Sequence, residues 1–286
     1  MVLESLFNPF IIKKKPWEMF FAGMIFTFVS LLLSFFVFKE SAGLLTIFLI
    51  VLSTVPILYT TIKNEEELDL KLDQEWTLLK EHTKVLIFLM CLFLGIVVAM
   101  TLSYVFMPES IVNSVFGMQQ QAISNVNNNI HGAVILTGNV TKFDLFGKIL
   151  FNNMKVLFFC LIFSLLYGTG AMFILTWNAS VIAAAMGGLF KSELSSAAVA
   201  VGAAGASHYF GAATFSFVRY MTHGLLEIAA YFVAGLAGGI ISVALIKHDL
   251  KEDKVLIDSL DLILISIGIL FAAGLVEVYI TPLIYT

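Results

Sequence analysis

The chain has 286 residues, of which 59% are hydrophobic and only 13% charged, with a formal net charge of −4. A soluble globular domain carries about 25% charged residues, so this composition, with a mean hydropathy of +0.96, excludes the soluble class. Apolar runs recur, each long enough to cross roughly 30 Å of hydrocarbon, and the short alternating strands of a β-barrel are missing.

The expectation is an all-α, polytopic helical membrane protein. It forms one integral membrane domain with about six full spans plus one or two short or re-entrant helices. No basic face with interleaved aromatics points to nucleic acid. Cys91 and Cys160 fall inside apolar spans and read as packing residues, neither a disulfide framework nor metal ligands.

A short basic head, Lys13-Lys14-Lys15-Pro16, leads to Trp17 as an interfacial anchor. Residues 17–38 form the first span, too long for a removable signal peptide and without a small-residue cleavage site, so it is expected to stay. Lys39-Glu40-Ser41 turns the chain into a second span, 42–62. Residues 63–84 are the longest charged stretch, with Glu65, Glu66, Glu67, Asp69, Lys71, Asp73 and Glu75 beside Leu68, Leu72, Trp76 and Leu79 at helical spacing. That pattern fits a solvated connecting helix with one apolar face, or a docking surface for a protein partner.

A third span, 85–107, stops at Pro108 and completes an N-terminal three-span part, 1–107. Residues 108–148, with Gln119-Gln120-Gln121 and Asn127-Asn128-Asn129, read as an extramembrane loop or small cap and a second surface for a partner. Within it Asn139-Val140-Thr141 is a glycosylation sequon.

The fourth span is expected over 148–177, with Gly168-Thr169-Gly170 as a kink or close-contact point. The small-residue runs that follow suggest short or re-entrant helices over 178–190 and 195–220, since small side chains let backbones approach within a membrane. A span at 222–246 follows, with Gly235 and Gly239 in GxxxG spacing. Together 149–247 form a core, and 248–286 supply a charged turn and the last span, 256–281.

Lysine and arginine bias sets orientation. Lys13–Lys15, the lysines of 63–84, and Lys247, Lys251 and Lys254 fall on one side with a cytoplasmic N-terminus. Region 108–148 is then extracytoplasmic, in the plasma membrane.

The candidate chemistry lies in an intramembrane polar set: Asn152, Asn153, Asn178, His208, Arg219, His223 and Glu227, with Lys155 beside them. His223 and Glu227, at i and i+4, share a helix face. Ionisable groups at that depth face a bundle interior or a wet cavity. Three readings stay open. The set holds helices together; it relays protons or cations through a cavity; or His208, His223 and Glu227 serve an intramembrane hydrolase as metal ligands. The last lacks HExxH and GxSxG patterns, so no catalytic residue, metal or cofactor is assigned. Gly168, Gly170, Gly224, Gly235, Gly238 and Gly239 are candidate helix-packing positions. So Gly/Ala-rich a surface also makes a homo-oligomer plausible.

His223-Gly224 with Glu227, followed by Val233-Ala234-Gly235-Leu236-Ala237-Gly238, resembles the signature of the stage II sporulation protein M family. Phe151-Asn152-Asn153-Met154-Lys155-Val156, continuing to Leu166-Tyr167-Gly168-Thr169-Gly170 and Trp177-Asn178, is similar to that family's preceding helix. The likeness covers roughly 145–247, and Asn8-Pro9 with Lys15-Pro16-Trp17-Glu18 is similar to archaeal-type members. Thr222 stands where the family often has proline, and Ala179 where it often has glycine. The resemblance implies a multi-pass plasma-membrane protein without enzymatic activity. In endospore formers it scaffolds a complex with peptidoglycan-degrading enzymes. Archaea do not sporulate, so the part carried over is the membrane fold with a scaffold or transport role.

Overall fold

A computed structural model of the chain describes residues 15–71, 75–137, 141–201, 205–247 and 253–284. Asn139 and most of the basic head lie outside these residues. The described chain is helical: α1 (Trp17–Val37), α2 (Ala42–Lys71), α3 (Glu75–Phe106), α4 (Glu109–Thr137), α5 (Lys142–Tyr167), α6 (Ala171–Val201), α7 (Ala206–Lys247) and α8 (Asp253–Leu275). A π-helical turn, Val276–Ile280, and a last helical turn, Thr281–Ile284, extend α8. Among the described residues seven helices, all but α4, are long and apolar enough to cross a membrane.

The first span and its turn follow the expected limits, the turn being a 3-10 turn at Lys39–Ser41. Elsewhere the boundaries move, each for a local reason. In the charged stretch, residues 63–71 are the end of α2 and residues 75–84 the start of α3. Glu65 and Glu66, expected in solvent, are buried there.

Within the region expected as a loop or small cap, residues 109–137 form the helix α4. Val112, Val115, Phe116 and Gln119 are buried on one face of α4, the i, i+3, i+4, i+7 stripe of a helix. Gln119 donates to Ser180 Oγ on α6 at 3.0 Å and Gln120 to the Tyr104 hydroxyl on α3 at 2.9 Å, so α4 lies against the bundle. The start of α5 is set by a capping box between Thr141 and Asp144, which satisfies otherwise unpaired N–H groups of its first turn.

The span expected over 148–177 is two helices. Gly168 has φ 65° and ψ −59°, and the Thr169 N–H bonds back to the Tyr167 carbonyl at 2.7 Å. That is a three-residue γ-turn of the positive-φ kind, a conformation only glycine adopts without strain. Ser164 Oγ accepts the Ala171 N–H at 3.2 Å across the break, tying the start of α6 to α5.

The pieces expected as short or re-entrant, over 178–190 and 195–220, fall where they are described in the continuous helices α6 and α7, through 201 and from 206 on. Their small side chains serve packing. A Cβ added at Gly187 would stand 2.5 Å from the Tyr104 ring, so the absence of a side chain on α6 there makes room for that ring of α3.

The second half of α7 is the core of the molecule: every residue from 231 to 240 is buried. It packs against α5, α6 and α8, while α1 and α6 flank α3. Between α1 and α3 the approach is closer still, Gly23 and Gly95 each facing backbone of the other helix.

Candidate functional site

Three elements meet around Glu227. On α7, His223, Glu227 and Tyr231 follow one another at four-residue intervals and so lie along one face. Asn153 on α5 donates from Nδ2 to Glu227 Oε1 at 2.5 Å. From the π-helical turn after α8, the Glu277 carboxyl comes next to that of Glu227.

One turn further on, Thr281 Oγ1 lies 3.4 Å from His223 Nδ1, and it also sits 3.1 Å from the Val276 carbonyl it donates to. That second bond spans five residues, the register of a π-helix. The extra residue in this turn places Glu277 and Thr281 beside Glu227 and His223. Tyr231 is buried below the carboxyls, and Asn153 is buried, while Glu227, Glu277 and His223 are half-buried.

The remaining candidate residues do not join this cluster. Asn152 is exposed, on the other side of α5 from Asn153. Asn178 spends its amide on the Ile174 carbonyl of its own helix at 2.9 Å. Arg219 is exposed, with its guanidinium over the Phe215 ring. Lys155 is exposed and reaches over the Phe151 ring.

His208 accepts the Gly205 N–H on Nδ1 at 3.1 Å, which caps the start of α7. Fifteen residues of continuous helix separate His208 from His223, about 22 Å of rise, so the two imidazoles cannot share one metal ion. Among the described residues no group of three or more His, Cys, Asp or Glu side chains is placed to hold a metal.

The glycines divide in the same way. A Cβ added at Gly238 would stand 2.6 Å from the Leu161 carbonyl oxygen, at Gly235 2.8 Å from Ala171 Cβ, and at Gly239 2.9 Å from the Gly168 carbonyl oxygen. Gly170 abuts the Phe163 backbone. These positions hold α7 against α5 and the γ-turn. Gly224 has open space around it.

Glu277, Thr281 and Tyr231 were not singled out by sequence reasoning. The signal for Glu277 was present: a carboxyl in the apolar part of the last span, well beyond Asp258 and Asp261, which by default marks a site or a partner. A second polar contact also went unnoticed, at the other end of the bundle. His82 on α3 lies 3.0 Å from Glu65 on α2, through Nδ1 and Oε2, and both side chains are buried.

A family model described as stage II sporulation protein M matches residues 84–282, more than two thirds of the chain. The matched stretch runs from α3 through the last helical turn, so it contains every member of the Glu227 cluster. Comparison with curated proteins and with solved structures gives no match.

Proposed function

From a chain that belongs to the stage II sporulation protein M family, we propose a non-enzymatic scaffold or assembly component of a membrane complex. The observation that carries this reading is the position of the Glu227 carboxyl between two other helices. Its bond to Asn153 joins α5 to α7, and the end of α8 brings the Glu277 carboxyl next to it. Interhelical polar bonds of this kind act as glue within a bilayer, each worth about 1 kcal/mol. Backbone-close packing at Gly235, Gly238 and Gly239 supports the same role. The result is a framework that would hold its extramembrane segments in place for partners.

One observation favours a second reading, a channel or transporter for an ion or small solute. Two carboxyls in contact, with His223 and Asn153 around them, are the groups a proton or cation relay would use. Reconstitution separates the two. Vesicles holding the full chain and a pH-sensitive dye are expected to show no proton, sodium or potassium flux above empty vesicles. Flux that Glu227→Gln abolishes would overturn the scaffold reading and install the relay. In the cell membrane the scaffold is expected to co-purify with a stoichiometric protein partner, and recovery of the chain alone would count against it.

A further inference from the structure

The side of α5 that faces away from the bundle is not purely apolar. Among the seven spans α5 is the least buried, and Lys148, Phe151, Asn152, Lys155, Phe158 and Phe159 are all exposed on it. Lys148, Asn152 and Lys155 stand at i, i+4 and i+7, a single stripe along the helix. The three phenylalanines border that stripe.

Depth makes the stripe unusual. Lys155 lies thirteen residues after Lys142 and twelve before Tyr167, the two ends of α5. About 18 Å of helix rise therefore separates it from either end, which in a hydrocarbon layer of about 30 Å is the middle of the span. Ionisable side chains at such depth almost always face a bundle interior or a water-filled cavity, and this one faces outward. Its ammonium rests over the Phe151 ring, 4.5 Å from the ring centre. Asn152 shares the exposure, and among the described residues its amide makes no hydrogen bond.

Lipid headgroups lie too far away to satisfy both groups. Lys148, about 10 Å nearer the start of the helix, is placed to meet phosphates at the membrane surface. The short Asn152 side chain cannot extend towards them as a lysine does. A second copy of the chain brings no acid to match. Among the described residues the exposed carboxyls are Glu40, Glu109, Asp144, Glu193 and Asp261. The first three lie in a turn or in the first turn of a helix. Glu193 and Asp261 each stand six residues from an end of their spans, Ala171–Val199 and Val255–Leu283. The complement of an ammonium and an amide side by side at mid-depth is a carboxylate, which accepts from both.

We propose that this stripe of α5 docks a transmembrane helix of another protein, one that carries an Asp or Glu at mid-depth, its carboxylate pairing with the Lys155 ammonium and accepting from the Asn152 amide. Phe151 and Phe158 pack beside that pair. This partner chemistry rests on the scaffold reading. Vesicle flux tests that reading and helix capture tests the face, so each can fail without the other.

The test uses the full chain in phosphatidylcholine vesicles with a synthetic Leu/Ala transmembrane helix that bears one central Glu and a photoreactive leucine one turn away. After illumination, adducts are mapped by mass spectrometry. Adducts on Phe151 and Phe158 are expected to be about tenfold more abundant with the Glu helix than with the same helix carrying Leu in its place. Adducts on Phe21, exposed on α1, should be equal with both helices. Lys155→Leu suits a lipid-facing position and leaves the bundle packing untouched, and it should abolish the preference. Lys155→Arg, which keeps the cation, should preserve it, and Asn152→Leu should reduce it. Equal labelling of α5 by the two helices would overturn the proposal, as would a preference that survives Lys155→Leu. Loss of the preference on adding phosphatidylglycerol to the vesicles would overturn it by assigning the stripe to lipid phosphates. Crosslinks between two copies through α5 would overturn it by assigning the face to a second copy.

Discussion

Asn153 on α5 and Glu227 on α7, 74 positions apart in the chain, are joined by a side-chain hydrogen bond within the membrane-spanning bundle. Asn152, the neighbour in sequence, points away and is exposed. The pair therefore supplies its own control. Asn153→Ala removes a donor from a carboxyl that stays inside the bundle, at a cost of about 1–3 kcal/mol. A clear fall in Tm in detergent is expected for Asn153→Ala and none for Asn152→Ala. Equal melting of the two variants would show the bond to contribute nothing.

Gly238 and Gly224 make a second contrast on one helix. A side chain at Gly238 meets the Leu161 backbone oxygen, which cannot move aside without shifting α5. Overpacking of this kind costs about 1–3 kcal/mol. Gly224 has open space, and replacing a mid-helix glycine by alanine gains about 0.5–1 kcal/mol. Thermal unfolding of Gly238→Val and Gly224→Ala should therefore move in opposite directions, the first down and the second up or unchanged.

At Gly168 the backbone itself is the constraint. Its φ of 65° with ψ of −59° costs a residue with a Cβ on the order of 1–3 kcal/mol, although nothing crowds the position. Gly168→Ala is expected to destabilise the junction of α5 and α6, seen as faster hydrogen exchange at Thr169 and Ala171. Exchange unchanged from the parent chain would mean that the turn relaxes without loss.

The contact between Glu65 and His82 ties the ends of α2 and α3. Removing one partner leaves a buried polar group with fewer bonds and costs more than about 1–3 kcal/mol. His82→Ala should therefore lower Tm more than Thr83→Ala, whose side chain is exposed. The double variant Glu65→Ala, His82→Ala should be less harmful than the two single losses added together. Strict additivity would show that the two side chains do not interact.

Orientation is open to a direct measurement. Glu40 and Thr83 are exposed and lie at opposite ends of the α1–α3 hairpin stack. With the N-terminus in the cytoplasm, Glu40→Cys should react with a membrane-impermeant maleimide on intact cells. Thr83→Cys should react only after permeabilisation. The reverse pattern would invert the topology.

Fold class was legible in the sequence because hydrocarbon demands it. Apolar runs of span length have to become helices, where every backbone group finds a partner within its own segment. Pro108 and the Lys39–Ser41 turn also marked their boundaries locally. Helix limits elsewhere were not legible in the same way. The Ala/Gly-rich run over residues 178–190 looks interruptible, and only contact with Tyr104 explains why small residues stand in a continuous α6. In α4, one buried stripe ending at Gln119 was masked by a run of glutamines and asparagines.

The candidate site divides along the same line. His223 and Glu227 could be paired from spacing alone, since four residues on a helix fix which groups share a face. That Asn153 rather than Asn152 meets them depends on how α5 is rotated against α7. Glu277 joins them only because a π-helical turn inserts one residue of extra register after α8. Local covalent geometry and the cost of unpaired backbone in lipid determine helices from composition; which polar side chains meet is decided by helix rotation and crossing, and those come only from packing the whole bundle.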